Sequence, residues 1–369
     1  MDQERLARMA LCALNQVADP RFTALVAQYG PEEVWQTLRG QGETTSLGRR
    51  ALAVIPEALA EATELSGARF IIPGDDEWPP GLDLLDQARV GDMGGRPLGV
   101  WVSGPLSPPA VNRTIAVVGA RAASGYGMHA TQELAAGLAE AGWCIVSGMA
   151  FGIDAAAHRA ALAVGGDTMA VMATGIDRTY PASHQVLRTQ IEARGAVWTE
   201  MPPGQHPLRG SFLARNRIIA ALGIGTVVVE AGPRSGARNT AAWTGELGRT
   251  LMAVPGPITS SLSVATHHMI RDGSASLVAT VDDVVTLLAP LGTVDEKPLR
   301  GRPEPLELLR SELRAVREAV PSGGVAGAGE LSAATGMAVP TVMAAAAELV
   351  ELGWLEETQE GWCLPRRPV

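Results

Sequence analysis

The 369-residue chain has only three cysteines, Cys12, Cys144 and Cys363, and they are far apart. With no CxxC pair and no Cys/His spacing, neither a zinc site nor a disulfide framework has a basis. This usage suits a reducing, cytoplasmic setting. No run of about 18 uncharged apolar residues occurs, so no membrane-spanning helix is expected. The opening MDQERLARMALCAL puts two acids and two arginines before any apolar run, unlike a signal peptide. Net positive charge is missing as well. The formal charge is −9, the wrong sign for general attraction to nucleic acid. GxxxxGK[ST] and GxSxG are both absent, which removes the P-loop and the nucleophile elbow.

What is present is a core-building composition, 46% hydrophobic, in a chain long enough for two or three domains. Charge is unevenly spread. Residues 1–113 carry 10 basic and 15 acidic groups, 114–290 carry 12 of each, and 291–369 carry 8 and 12. Within the neutral middle, 201–240 holds Arg209, Arg215, Arg217, Arg234 and Arg238 against Glu230 alone.

Residues 1–65 read as short helices, LARMALCALNQV, RFTALVAQYG and PEEVWQTLRG, the last opened by Pro31 and closed by Gly40. They form a small helical unit of the SAM or helix-hairpin-helix kind, serving as a packed cap or an interaction module. Residues 66–113 are rich in Pro, Gly and Asp, with one strand at LGVWVSG, and read as a connector packed on the next domain. From 114 to 290 short β runs alternate with helices: TIAVVG, WCIVSG, TMAVMAT, AVWTE, TVVVEA and TLMAVP are the strands. Glycines follow most of the intervening helices, and Ser183 is placed to cap one of them. Near-continuous apolar strands separated by helices imply an α/β fold, a doubly wound parallel sheet buried on both faces. Residues 291–305 read as a linker. Residues 306–369 follow it as helix, helix, helix and hairpin, the winged-helix plan. Its third helix, 339–353, has no Lys or Arg and two glutamates, so it suits a protein contact better than a DNA groove.

An open parallel sheet binds ligands outside the carboxyl ends of its strands. Five loops come there: GARAASGYG, SGMAFGID, TGIDRTYPASH, MPPGQHPLRGSF and AGPRSGARNT. Their glycines let backbone N–H groups approach an anion. Gly125-x-Gly127-x-x-Ala130 has the form of a dinucleotide fingerprint, but it lies six residues past the strand end, and the next strand ends in Ser147 rather than an acid. NAD is therefore disfavoured. In SGMAFGIDAAAH, Ser147, Asp154 and His158 suggest a catalytic triad. The simpler reading makes Asp154 a helix cap and His158 a support of a tight turn, and leaves the backbone of 147–153 to cradle a phosphate. In RGSFLARNRII, Arg209, Arg215 and Arg217 surround Phe212, and Arg121 and Arg178 reach the same edge from other loops. Two readings stand. Either the arginines hold phosphates and Phe212 stacks a base, or Phe212 is core and the arginines pair with Glu200 and Glu230.

VVGARAASGYG, SGMAFGIDAAAH, GGDTMAVMATGIDRTYPASH, FLARNRIIAAL, VVVEAGPRSG and AVPGPI, in this order, resemble the DNA processing protein A family (DprA, also called Smf). DDEWPPGL upstream is similar to the family's Asp-x-x-Tyr-Pro-x-x-Leu segment. The resemblance covers roughly 70–290 strongly. It implies an extended Rossmann-like core and a non-enzymatic, cofactor-free, homodimeric protein. Such a protein binds and protects single-stranded DNA and helps load RecA recombinase in natural transformation. Carried onto this chain, it suggests Arg121, Gly148, Phe151, Gly152, Arg178, Arg209, Phe212, Arg215, Asn216, Arg217 and Arg238 as DNA-binding residues, and dimer contacts near 258–277. Arg238 stands in SGARNT, where the family often has Ser-Gly-Ser-Leu-Ile-Thr. The alternative is a Rossmann-like nucleotide hydrolase that cleaves N-glycosidic bonds. That class carries a Pro-Gly-Gly-x-Gly-Thr-x-x-Glu loop, whereas GPRSGARNTAAW reaches no acid before Glu246.

Overall fold

The computed structural model describes residues 2–14, 17–107, 113–289, 305–306 and 308–365. The chain divides into two compact units, 1–294 and 295–369. Of the expected linker, 291–305, all but Pro305 lies outside the described residues.

The first unit opens with helices α1 (Gln3–Ala13), α2 (Pro20–Tyr29), α3 (Pro31–Gly40), α4 (Ser46–Ala53) and α5 (Pro56–Leu65). Asp2, Asp19 and Thr45 cap three of them by accepting backbone N–H bonds, and proline opens α2, α3 and α5. Short strands follow: β1 (Arg69–Ile71), β2 (Arg89–Val90), β3 (Met93–Gly94) and β4 (Val100–Ser103). The alternating core is β5 (Thr114–Val118), α6 (Gly125–Glu140), β6 (Cys144–Ser147), α7 (Ile153–Ala163), β7 (Thr168–Met172), α8 (Gln185–Arg194), β8 (Ala196–Thr199), α9 (Arg209–Leu222), β9 (Gly225–Val228), α10 (Ala237–Glu246), β10 (Thr250–Ala253), α11 (Val264–Arg271), β11 (Ser276–Leu277) and α12 (Val281–Leu288).

One nine-stranded sheet runs β1-β4-β8-β7-β6-β5-β9-β10-β11. All pairings from β8 to β11 are parallel, and β4 and β1 add to the β8 edge antiparallel. The six strands read from sequence are all present. The segment 66–113 is more than a connector, because its β1 and β4 extend the sheet. Chain order reverses at β5: β6, β7 and β8 lie to one side, β9 and β10 to the other. A crevice must open there at the carboxyl edge.

Successive residues of each strand serve opposite faces. Ile115, Val117, Ile145 and Val227 pack with Leu134, Leu138 and Ala157 of α6 and α7. Ala116, Val118, Val146 and Val228 pack with Ile218, Ile219 and Ala241 of α9 and α10. The N-terminal helices share a core with the sheet, where Met9, Leu11 and Phe22 pack with Trp101, Met172 and Val197. Two caps differ from expectation. Gly152, not Asp154, precedes α7, and a short turn at Ala182–His184 leads into α8 with no side-chain cap from Ser183.

The second unit contains α13 (Ser311–Ala319), β12 (Val325–Ala326), α14 (Ala328–Thr335), α15 (Val339–Glu351), β13 (Glu356–Thr358) and β14 (Gly361–Cys363). Its strands form a sheet in the order β12-β14-β13, and its core holds Leu313, Val316, Leu331, Val342, Leu349 and Trp362. No single described helix is long and apolar enough to cross a membrane.

Candidate nucleic-acid interface

The crevice at the β5/β9 reversal is a cavity of about 770 Å³, lined by the loop after β5 (Val118–Ala122), the first turns of α9, and the loop into α10 (Gly232–Ala237). A second hollow of about 40 Å³ adjoins it, lined by Gly148, Phe151, Tyr180 and Pro181. Arg121, Ala150, Phe212 and Arg215 border both. The exposed Arg121 guanidinium carbon lies 5.2 Å from the centre of the Phe212 ring, and the Tyr180 ring centre lies 5.3 Å from the same ring. Phe151 is 52% exposed and edge-on to His184 at 4.9 Å. A cation and three aromatic rings therefore share one rim.

Arg215 sits deeper. Its Nη1 donates to the carbonyls of Gly148 (2.6 Å) and Val171, and its Nε to Asn216 Oδ1 (3.2 Å). Burial lowers its pKa to about 10, so it is still a cation at neutral pH. Asn216 donates to Gly236 O (3.4 Å) and Asn239 Oδ1 (3.2 Å), tying α9 to the start of α10.

The first turns of α6 and α7 each stand beside an acid of the protein itself. Glu230, two residues past β9, accepts from the backbone N–H of Ser124 (2.9 Å) and from its hydroxyl (2.5 Å) at the start of α6. Gly127 makes room for it, since a Cβ there would lie 2.2 Å from Glu230 Oε2. Asp154, in the first turn of α7, accepts from the N–H of Ala150 (3.4 Å) and is drawn also to those of Gly148 and Gly119 in the loops after β6 and β5. Burial pushes its carboxyl pKa up, against the pull of Arg215 and those N–H groups.

The fully buried His158 meets Thr168 Oγ1 at 2.7 Å. That hydroxyl already donates to Ile145 O, so the Nδ1 proton is the one shared. Burial lowers the His158 pKa to about 3, keeping it neutral. Ser147 donates to Val117 O at 2.6 Å. With serine and histidine each committed elsewhere, no triad is assembled.

Residues 69–289 match the family model described as DNA recombination-mediator protein A. The chain belongs to that family. Over 361 residues, 94% of this chain and 92% of the relative, it is 43% identical to a Mycobacterium tuberculosis protein named "Putative DNA processing protein DprA". It is 46% identical over 171 residues to the DNA processing protein DprA of Streptococcus pneumoniae, covering 46% of this chain and 60% of that one. The X-ray structure of the Streptococcus pneumoniae DprA superposes with a TM-score of 0.65 at 31% identity, over 78% of this chain and 98% of that one. A Helicobacter pylori DNA processing protein A, described for its single-stranded DNA binding mode, superposes with a TM-score of 0.53 at 25% identity, over 60% of this chain and 97% of that one.

Within this DNA recombination-mediator family fold, Arg121, Gly148, Phe151, Phe212, Arg215 and Asn216 line the two hollows, as grouped from the sequence. Arg217 does not. It is 0% exposed, paired with Glu200, and donates also to Gly95 O (3.0 Å) and Ala214 O (3.0 Å). Its helical position turns it to the core, so it is a structural residue here. In the backbone of Gly148–Gly152, the N–H of Ala150 turns to Asp154 (3.4 Å). Gly152 has φ +75°, and a Cβ on it would lie 2.3 Å from Ala120 O. A Cβ on Gly148 would lie 2.4 Å from Arg215 Nη1. These glycines let the protein's own loops meet. Arg178 donates to Gly204 O (3.1 Å) and lines neither hollow. Arg209 and Arg238 are exposed nearby, outside both linings, and Arg238 donates to Pro233 O (2.6 Å). Sequence reasoning left out Tyr180, Arg234 and Thr240. Arg234 lay within the basic cluster, and Tyr180 lay two residues from Arg178.

Proposed function

We propose that the protein binds single-stranded DNA without sequence preference at the carboxyl edge of its sheet. As a cytoplasmic homodimer it protects the strand and helps load RecA recombinase during natural transformation and homologous recombination. The observation that carries the binding is the exposed Arg121 guanidinium over Phe212, with Tyr180 beside it. A base needs an aromatic face and its phosphate a cation, and every base has such a face, so this pairing is tolerant of sequence. The Helicobacter pylori relative, described by its single-stranded DNA binding, supports the same ligand. RecA loading and transformation rest on family membership. For the dimer, Ile258 at 93% exposure and Leu277 on edge strand β11 offer apolar contact.

We read the second unit as a winged helix that contacts protein. α15 contains no Lys or Arg, and Glu351, Glu356, Glu357 and Glu360 are exposed around it and the hairpin. Two carboxylates bear on the N-glycosidic hydrolase reading, and Asp154 lines the cavity. Glu246 is exposed at the last turn of α10, away from the cavity lining, and Asp154 is held by backbone N–H groups. Fluorescence anisotropy of labelled oligo-dT tests the reading: binding at low salt is expected, and none would contradict it. Free base released from nucleoside monophosphates would favour the hydrolase instead.

A further inference from the structure

Two walls of the crevice are joined by one buried residue that lines neither hollow. β5 and β9 lie side by side, with Val118 opposite Val228. The loop after β5 carries Arg121 and forms one wall, and the loop Gly232–Ala237, beyond β9, forms another. Glu230 lies in the chain between β9 and that second loop, is 1% exposed and is absent from both linings.

Arg121 depends on its loop for its place. Among the described residues it forms no ion pair, and no hydrogen bond holds the backbone N–H groups of Arg121, Ala122 or Ala123. The loop is fastened on either side of them. Ala120 O accepts the N–H of Ile153 (3.2 Å). Ser124 gives Glu230 both of its donors, the backbone N–H to Oε2 and the hydroxyl to Oε1. The same hydroxyl accepts from the N–H of Gly127 (3.1 Å) and so starts α6.

A buried acid is unfavourable unless its oxygens are bonded, and for stability alone an apolar side chain often serves as well. What a carboxyl adds is two acceptors at a fixed spacing, which here meet two donors of one residue. We propose that Glu230 is a positioning residue for DNA binding: by holding Ser124 it fixes the loop that presents Arg121 to a phosphate. The inference rests on the single-strand reading, in which Arg121 takes that phosphate. Gly127 belongs to the same device, because a Cβ there would lie 2.2 Å from Glu230 Oε2.

Oligo-dT affinity of the full chain across salt concentrations, with hydrogen exchange of residues 120–124, tests it in Glu230→Leu, Glu230→Gln and Ser124→Ala. Glu230→Leu cuts both bonds. It should weaken oligo-dT about tenfold at low salt and flatten the salt slope by about 0.7, the share of one phosphate. Arg121→Ala added to it should then cost less than about twofold more, because the two changes act through one contact. Exchange at 120–124 should rise. Glu230→Gln removes the same charge but offers Ser124 an acceptor and a donor, so it should restore most of the affinity and the slope. Should Glu230→Leu not fold, Ser124→Ala, which cuts only the hydroxyl bond, should move affinity and exchange the same way by a smaller amount. A lowered melting temperature with a wild-type salt slope would make Glu230 merely structural and overturn the proposal. So would an Arg121→Ala loss as large in Glu230→Leu as in wild type, or unchanged exchange at 120–124. Absence of oligo-dT binding by the wild type would overturn the parent reading and the role in DNA binding together, while raised exchange in Glu230→Leu would still uphold the hold on the loop.

Discussion

Arg217 and Glu200 form a two-pronged ion pair, Nη1 to Oε2 and Nη2 to Oε1, each at 2.7 Å, with the arginine side chain wholly buried. The remaining donor bonds reach the carbonyls of Gly95 and Ala214. The pair thus joins α9, the end of β8 and the segment before β4. Removing one partner strands a buried charge. Arg217→Ala should lose about 3–5 kcal/mol in urea denaturation, and DNA binding should fall only as far as the folded fraction falls. A stably folded Arg217→Ala that fails to bind DNA would put this arginine back in the interface.

Gly152 should be intolerant for reasons of backbone rather than ligand. At φ +75°, with Ala120 O 2.3 Å from the site of any Cβ, Gly152→Val forces the loops after β5 and β6 apart. A melting temperature lowered by several degrees is expected, with DNA binding reduced because Arg121 is carried by the displaced loop. An unchanged melting temperature would contradict it.

His158 provides a pH signature. Its folded pKa, lowered to about 3 by burial, is below the ordinary 6.5 of the unfolded chain. Between those values the unfolded state binds the extra proton, so stability falls as pH drops from about 6.5 toward 3, by up to about 1.4 kcal/mol per pH unit. Asp154 opposes this, because its raised folded pKa favours the native state as its carboxyl protonates. The comparison of wild type with His158→Gln isolates the histidine. A shallower acid slope is expected in the variant, and equal slopes would contradict the assignment.

The alternation of apolar β runs with glycine-terminated helices made the parallel sheet legible, because such strands have to be buried on both faces. β1 and β11, of three and two residues, were too short to carry a pattern. The arginine and aromatic cluster was legible as composition, but direction was not. Arg215, Arg217 and Arg209 share one helix, and only the fold decides that the first lines the cavity, the second enters the core and the third stays outside. SGMAFGID reads as a phosphate cradle. That Asp154 of the same stretch takes one of its N–H groups could be seen only once the loop was closed, and likewise for Glu230 at the start of α6.

Phe212 should separate stacking from charge. Phe212→Ala should weaken oligo-dT binding about tenfold or more at every salt concentration, since a stacked base contributes roughly 1–3 kcal/mol and releases no counterion. Phe212 is only partly buried, with Arg121 and Tyr180 against its ring, so the fold should survive, which thermal melting checks. Affinity unchanged by this substitution would remove the base from Phe212.

The most direct measurement is the salt dependence of oligo-dT affinity in wild type and Arg121→Ala. Each phosphate neutralised on a single strand contributes a slope of about −0.7 in log K against log salt. Despite the net charge of −9, wild-type affinity should fall steeply with salt, and Arg121→Ala should weaken binding at low salt and flatten the slope by about 0.7. Absence of binding at low salt, or an Arg121→Ala slope equal to that of wild type, would contradict a phosphate held at the carboxyl edge of the sheet.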